Sequence, residues 1–129
     1  MSQHPASDLI IRIKNGYGAR KESIQSPYSK FREEIIKKLV ALKFLKGYEV
    51  SGEIKKTMNI TLSYANGEPA FTDVKIYSTP GRRWYIAHNE LKPVMGGIGY
   101  GILSTPLGIV THTEAKKKNV GGELLFTLW

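Results

Sequence analysis

The 129-residue sequence contains 19 Lys and Arg against 11 Asp and Glu, giving a net charge of +8, and 41% of its residues are hydrophobic. This length and composition fit one compact domain or two very small ones and exclude a disordered tail. The absence of cysteine excludes disulfide bonds and thiolate metal sites, so we expect a cytosolic protein. The excess positive charge favours a polyanionic partner over solubility alone.

Membrane insertion is not expected. No stretch of the sequence approaches the roughly 18 apolar residues of a membrane-spanning helix. Asp8 and Arg12 interrupt the only apolar run near the N-terminus, so the sequence also predicts no signal peptide. Among polyanionic partners we therefore expect nucleic acid and no membrane.

The first part of the chain predicts two helices with a short strand between them. One helix is predicted over residues 8–17, with Ser7 or Asp8 as its cap, and its apolar residues at helical spacing are Leu9, Ile10, Ile13 and Tyr17. Residues 24–26 predict a strand that ends at Pro27. Ser29 is predicted to cap a second helix whose apolar positions are Phe31, Ile35, Leu39 and Leu42. Arg32, Lys37 and Lys38 are expected on the other faces of that helix.

Alternating apolar residues predict strands over residues 44–50 and 58–64. Asn66-Gly67 predicts a tight hairpin turn into a further strand over residues 71–76. The turn at residues 79–81 breaks this pattern and predicts a subdomain boundary. The sequence thus predicts an α+β protein with two small subdomains. Residues 1–78 are expected to form helices on a short antiparallel sheet, and residues 79–129 a mostly β subdomain with short helices.

The second part of the chain predicts a hairpin that presents polar atoms. Its predicted elements are a strand over 83–86, a short helix over 89–95, strands over 102–104 and 109–111, a basic helical turn over 113–118 and a strand over 123–128. Ser104 and Thr105 are expected at the hairpin tip, where Gly108 supplies a positive φ. Such a tip suits contact with base edges and 2′-hydroxyls of RNA, although an ordinary polar loop has the same composition.

The glycine-rich segment 96–101 resembles a phosphate-binding loop, but such loops precede a helix and here a strand is predicted to follow. The glycines are better explained by turning and close packing of the backbone. The three histidines, His4, His88 and His112, lack metal-ligand spacing and are expected at the surface. No pattern typical of a catalytic site is present, and we expect no metal or cofactor.

Two basic segments are candidate RNA contacts. Lys116, Lys117 and Lys118 either form a solvated helix face or neutralise phosphates. Trp84 and Tyr85 adjoin Arg82 and Arg83 on a predicted strand, where alternation sends one aromatic ring outward to stack on a base or sugar. Trp84 is expected to be the ring in the core.

Several motifs follow one another in the order seen in a known family. They are Asp8-Leu-Ile-Ile-Arg-Ile-Lys-Asn-Gly16, Pro27-Tyr-Ser-Lys30, Ser78-Thr-Pro-Gly-Arg-Arg-Trp-Tyr85, Glu90-Leu-Lys-Pro-Val-Met95, Ser104-Thr-Pro-Leu-Gly108 and Gly121-Gly-Glu123. Over nearly its whole length the chain resembles the family of the eighth protein of the small ribosomal subunit, a universal RNA-binding family. It resembles the bacterial type of that family. It departs from the family pattern at Pro106 and Leu107, where many members have a serine and a lysine.

The resemblance implies a structural component that binds ribosomal RNA directly, at an irregular stem of the central domain, early in subunit assembly. It implies no enzymatic activity. The implied specific contacts are Tyr85, Ser104, Thr105, Gly122 and Glu123. The implied supporting contacts to the RNA backbone are Arg12, Lys14, Asn15, Ser29, Lys30 and Arg83. Implied partners are small-subunit ribosomal RNA, neighbouring small-subunit proteins in the cytoplasmic ribosome and, for some members, their own messenger RNA.

Glu123 is the one acidic residue in this set. Its carboxylate is expected at the edge of the binding surface, where it accepts hydrogen bonds from the Ser104 tip or from RNA donors. A solvated glutamate at a strand end is the simpler alternative. Two other functions stay open for the whole chain. One is a free-standing basic RNA-binding regulator, such as a repressor of messenger RNA translation, and the other is a small enzyme that handles phosphoesters with its glycine-rich segment.

Overall fold

A computed structural model describes residues 5–129 of the chain. The backbone forms two compact units, one of Asp8–Phe71 and one of Thr72–Trp129 together with residues 5–7. The first part of the chain combines two helices with a small antiparallel sheet, and the second part is mostly β with a short helix, which confirms the predicted α+β class. Within residues 5–129 no helix has the length and apolarity needed to cross a membrane. The behaviour of 1–78 and 79–129 as separate subdomains stays a prediction.

The first part of the chain builds a three-stranded antiparallel sheet with two helices. Its elements are α1 (Pro5–Gly18), β1 (Ser23–Pro27), α2 (Lys30–Ala41), β2 (Leu45–Ser51), β3 (Thr57–Leu62), β4 (Tyr64–Ala65) and β5 (Glu68–Pro69), with sheet order β1-β3-β2. The core side chains include Leu9, Ile10, Ile13, Ile35, Leu39, Met58 and Ile60. The prediction that Ser7 or Asp8 caps α1 is wrong. The helix already begins at Pro5, whose fixed φ and missing N–H suit a first helical position.

Helix α2 begins as predicted, but one of its polar residues is buried. The Ser29 hydroxyl accepts a hydrogen bond from the Arg32 N–H at 3.1 Å, which confirms the cap. Arg32 lies off the predicted apolar positions, as expected, but its side chain is only 8% exposed. Arg32 Nη1 donates to Asp8 Oδ2 at 2.8 Å and to Ser26 Oγ at 3.0 Å. These partners compensate for the loss of hydration.

The Asn66-Gly67 turn is confirmed by the positive φ of both residues, 53° and 79°. It joins only the two-residue strands β4 and β5, however, and the predicted continuation into one strand over 71–76 is wrong. The hairpin closes through a hydrogen bond from Ala70 N to Ser63 O. The N–H groups of the next residues, Thr72 and Asp73, both donate to the carbonyl of Trp129, so the chain enters a different sheet.

The unit of Thr72–Trp129 is built on a five-stranded antiparallel sheet. Its elements are β6 (Val74–Ile76), β7 (Tyr85–Ile86), β8 (Tyr100–Thr105), β9 (Gly108–Thr111), α3 (His112–Lys117) and β10 (Gly122–Leu128), with order β6-β10-β8-β9 and β7 also paired to β10. Its core contains Leu91, Leu103, Val110, Ala115 and Leu124. The predicted strands at 102–104, 109–111 and 123–128 and the basic helix are confirmed.

The predicted helix over 89–95 is wrong. The chain instead makes two short 3₁₀ turns, His88–Glu90 and Met95–Gly97. Pro93 lies between them and has no N–H with which to continue a helix. Gly96 and Gly97 then take φ values of 67° and 100°, which turn the backbone into β8.

Candidate nucleic-acid interface

The β8–β9 hairpin is tighter than its sequence suggested. Pro106 and Leu107 form the turn, while Ser104 and Thr105 belong to β8 and pair with Ile109 and Gly108. The expectation that the two hydroxyls sit at the tip itself is therefore wrong. They lie at the end of a strand, because Gly108, with φ of 104°, closes the turn after only two residues.

The two hydroxyls at this strand end differ in their bonding. Thr105 Oγ1 donates to the Gly108 carbonyl at 2.8 Å and accepts from the Leu107 N–H at 3.1 Å, so it holds the turn together. The Ser104 hydroxyl has no hydrogen-bond partner among residues 5–129 and is partly exposed. Ser104 is therefore the hydroxyl that is free to bind a ligand.

Two glycines at the start of β10, one just before the strand and one its first residue, let three strands meet beside Ser104. In the sheet, Glu123 is paired with Ser104 on one side and with Tyr85 on the other. A side chain at Gly122 would collide with the Ser104 carbonyl, and a Cβ at Gly121 would lie 2.5 Å from the Ile86 carbonyl oxygen. Only glycine allows such close approach, so these two residues bring the Ser104 and Tyr85 strands to one surface.

Buried Ser78 fixes the strand that presents Tyr85. Its hydroxyl accepts from the Trp84 N–H at 2.9 Å and donates to the Leu124 carbonyl at 2.8 Å. The Leu124 N–H also donates to the Trp84 carbonyl at 2.8 Å. These bonds hold the chain in register with β10 and leave the Tyr85 ring 71% exposed. An exposed aromatic ring on a rigid strand is suited to stacking on a base.

The expectation that Trp84 lies in the core is wrong, because 39% of its surface remains exposed. Its ring packs edge-on against Tyr77 with centroids 5.5 Å apart. The Arg82 guanidinium lies 5.6 Å from the Trp84 ring centroid. A cation over the ring face is compatible with partial exposure, which explains why core packing did not prevail.

Glu123 forms an ion pair with Arg83. Arg83 Nη1 donates to Glu123 Oε2 at 3.2 Å, and the Glu123 side chain is only 14% exposed while that of Arg83 is 44% exposed. The positive charge of the guanidinium therefore compensates for the hydration that the largely covered carboxylate has lost. This contact links a residue predicted for specificity to one predicted for phosphate contact.

A single cavity of about 590 Å³ brings the predicted specific contacts together. It is lined by the predicted residues Tyr85, Ser104, Thr105, Gly122 and Glu123, and by four that sequence reasoning did not include, namely Ile86, Ala87, Pro106 and Gly121. The omitted residues directly adjoin predicted ones in the sequence, which is the signal that could have found them. The cavity offers an aromatic face, a free hydroxyl and a carboxylate, groups that can contact an unpaired base or a 2′-hydroxyl.

The predicted supporting residues Arg12, Lys14, Asn15, Ser29 and Lys30 all lie in the other unit, Asp8–Phe71. Arg12 lines a cavity of about 630 Å³ together with Tyr28, Lys55 and Lys56. The two lysines were not predicted, although their position in the charged segment 53–56 could have indicated them. Lys14, Asn15 and Lys30 are exposed on helices, whereas the hydroxyl of Ser29 is already used as the α2 cap.

The carboxylates of Asp8 and Glu33 bind residues that line this second cavity. Burial opposes ionisation of Asp8, but hydrogen bonds from Arg12 and Arg32 outweigh it and hold the pKa of Asp8 below its ordinary value. Glu33 accepts from the hydroxyls of Tyr48 at 2.8 Å and Tyr28 at 3.0 Å, and these bonds lower the pKa of Glu33. Both groups therefore stay ionised at neutral pH and hold Arg12 and Tyr28 in place.

The histidine and glycine predictions have mixed outcomes. His88 is exposed as expected, and His4 lies outside the described residues. The expectation for His112 is wrong, because it is 8% exposed and its Nδ1 accepts the Gly101 N–H at 3.0 Å. A side chain at Gly99 would lie 2.6 Å from the Leu128 carbonyl, so close packing explains this glycine. In the range 5–129 no cluster of three or more metal-ligating side chains occurs.

Comparison with known proteins places this geometry in a family context. The family model described as ribosomal protein S8 matches residues 4–129. The chain is 42% identical over 126 residues to the small ribosomal subunit protein uS8 of Dictyoglomus turgidum, covering 97% of this chain and 96% of that protein. It is 40% identical to the same-named protein of Coprothermobacter proteolyticus, with complete coverage of both chains. The corresponding protein of Pseudomonas entomophila is 39% identical over 127 residues, 98% of each chain.

Proposed function

The chain belongs to the ribosomal protein S8 family, and from this premise we propose that it is a structural constituent of the small ribosomal subunit that binds small-subunit ribosomal RNA directly. The single observation that carries this proposal is the cavity that gathers Tyr85, Ser104 and Glu123 from three strands. A net charge of +8 adds the general attraction to a polyanion on which such binding depends.

We place the specific contacts of the proposed function in this cavity and assign its RNA target to an irregular stem of the central domain. The exposed Tyr85 ring stacks on an unpaired base or a sugar, and the free Ser104 hydroxyl bonds to a base edge or a 2′-hydroxyl. Glu123 accepts from an RNA donor such as a cytosine amino group. An irregular stem suits this surface because its bases are accessible, whereas the bases of a regular A-form helix are not.

The basic residues outside the cavity have a different role in this proposal. Arg12, Lys14, Asn15 and Lys30, together with the exposed run Lys116–Lys118, contact phosphates and position the RNA without reading its sequence. Ser29 acts through the α2 cap, because its hydroxyl is already engaged. The role is structural rather than catalytic, and the partners are the ribosomal RNA and neighbouring small-subunit proteins in the cytoplasmic ribosome.

The proposal is tested by comparing two RNAs at physiological salt. We expect affinity for a central-domain stem to exceed that for an arbitrary duplex of equal length by about tenfold or more, or ~1.4 kcal/mol. Equal affinities would contradict specific binding and leave only a basic protein. Cosedimentation with small subunits in high salt distinguishes the ribosomal role from a free-standing regulator, including one that binds its own messenger RNA. A footprint on small-subunit RNA then identifies the nucleotides.

A further inference from the structure

Another cavity, of about 450 Å³, lies in the unit of Thr72–Trp129 and is mostly apolar. We call it the tryptophan cavity, because its walls include Tyr77, Trp84, Leu91, Pro93, His112 and Trp129. Trp84 and Tyr85 are consecutive residues of an extended segment, so their side chains leave it on opposite faces. The tryptophan cavity and the Tyr85 cavity share only Ile86 among their lining residues, so they are separate sites. The volume of the tryptophan cavity is in the range of ligand-binding pockets.

Cations surround the aromatic walls of this cavity. The Lys75 ammonium lies 5.1 Å from the Tyr77 ring centroid, and the Arg82 guanidinium lies 5.6 Å from that of Trp84. Exposed Lys92 also lines the cavity. The one acidic side chain in the lining belongs to Glu90, and its Oε1 accepts the Ala87 N–H at 3.0 Å. The interior is thus apolar while the charge at its mouth is positive.

His112 provides a buried polar atom with an unused hydrogen-bonding capacity. Because Nδ1 accepts the Gly101 N–H, the ring hydrogen of the neutral imidazole is on Nε2. Nε2 has no partner in the part of the chain that the structure describes. No fully enclosed side-chain nitrogen or oxygen in that part lacks a partner, so the remaining accessibility of His112 reaches Nε2. Burial lowers the pKa of His112, which keeps the ring a neutral donor at neutral pH.

We propose that the tryptophan cavity binds an unstacked RNA base, with the adjoining phosphates at Lys75 and Lys92 and with His112 Nε2 donating to an acceptor on the base edge. The identification of the polyanion as RNA rests on the proposed function. A nucleotide matches the cavity because its flat base is uncharged and its negative charge lies outside, on the phosphates. An acidic side chain would instead carry its charge into an apolar interior, which is costly.

The chain contains two tryptophans, Trp84 and Trp129, and both line this cavity. Intrinsic fluorescence of the full chain therefore reports on its occupation. Titration with a six-nucleotide oligoadenylate is expected to quench this fluorescence with saturation below about 1 mM. An abasic oligomer of the same length carries the same phosphates and is expected to leave the fluorescence unchanged. Equal quenching by both oligomers, or quenching by neither, would overturn the inference.

Charge reversal at the mouth tests the phosphate contacts. The exposed pair Lys75→Glu with Lys92→Glu is expected to raise the Kd for oligoadenylate about tenfold. The matched control is Lys37→Glu with Lys46→Glu, two exposed lysines of the other unit that change the net charge equally. Equal weakening by both pairs would mean that net charge alone is responsible, which contradicts a site. Circular dichroism verifies that each variant is folded.

The test also separates this inference from the proposed function. Tyr85→Ala with Ser104→Ala is expected to weaken the cognate stem and to leave quenching by oligoadenylate unchanged. If the unaltered chain shows oligoadenylate quenching but no preference for the cognate stem, the proposed function fails. If it prefers the stem but oligoadenylate does not quench its fluorescence, the base-binding cavity fails. Loss of quenching in the double variant also contradicts a separate base-binding cavity. A phenylalanine-containing oligoglutamate peptide serves as a further probe. If it quenches the fluorescence and oligoadenylate does not, the partner is a protein and the inference fails.

Discussion

Arg83 Nη1 lies 3.2 Å from Glu123 Oε2, so a cation from the segment before β7 holds the one carboxylate of the candidate RNA-binding cavity. The pair joins residues 40 positions apart in the sequence. It changes the role expected for Arg83, since a guanidinium bound to Glu123 orients that acceptor in addition to contacting phosphate. The acceptor is then preorganised for an RNA donor.

Replacing Glu123 with Lys therefore tests whether binding of the cognate stem depends on net charge alone or on the hydrogen-bond acceptor at this position. We expect Glu123→Lys to weaken binding of the cognate stem about tenfold, or ~1.4 kcal/mol, although it raises the net charge by two. An unrelated duplex should bind as well or better, because phosphate attraction increases. Filter binding of both RNAs at one salt concentration measures this. A parallel rise in both affinities would remove Glu123 from the site.

We expect substitution of one hydroxyl of β8 to affect RNA binding and substitution of the other to affect stability. Ser104→Ala should cost about 1 kcal/mol of cognate binding and little free energy of unfolding, because this hydroxyl has no partner within the described residues. Thr105→Val keeps the side-chain shape but removes both turn hydrogen bonds, so it should cost about 1 kcal/mol of stability. Urea unfolding and RNA titration of each variant distinguish the two roles. Identical profiles for the two variants would contradict the assignment.

Ser78 is predicted to control the register of the Tyr85 strand. Ser78→Ala removes a buried hydroxyl and leaves the partly buried Trp84 N–H without its acceptor, which should destabilise the fold by about 1–3 kcal/mol. Ser51→Ala is the matched control, because the Ser51 hydroxyl is exposed and makes only a 3.4 Å contact to Thr57 Oγ1. Its effect should stay within about 0.5 kcal/mol. Equal unfolding free energies for the two variants would show that the Ser78 bridge does not stabilise the fold.

The lowered pKa of Asp8 predicts that the free energy of unfolding depends on pH. Its pKa is held below the ordinary value of about 3.8, so the ionised carboxylate stabilises the folded chain above that pH. This contribution is lost as the pH falls through the folded-state pKa, when Asp8 becomes protonated and its bonds to Arg12 and Arg32 weaken. We expect Asp8→Asn to cost about 1–3 kcal/mol at pH 7 and clearly less near pH 3. A cost that is the same at both pH values would contradict this linkage.

Local sequence signals were sufficient for the elements that depend on neighbours in the chain. Helix α2 follows from its apolar spacing and its cap, since Ser29 bonds to a group only three residues away. The β8–β9 hairpin follows from two apolar runs that flank the turn containing Pro106 and Gly108. The hydroxyls, glycines and tyrosine of the candidate site were also found, because the family motifs that carry them are continuous segments. Whether these residues bind RNA stays a prediction.

The sequence by itself thus determined the secondary-structure pattern and the segments that meet in the site, because capping, periodicity and turn formation act over a few residues. Only the tertiary structure decided which polar groups are buried and what they bind. Arg32 lies off the apolar positions of its helix, yet it is covered where Asp8, 24 residues away, pairs with it. His112 is buried against Gly101 of the neighbouring strand. The balance between desolvation and new partners depends on groups brought together by folding, and no local pattern records it.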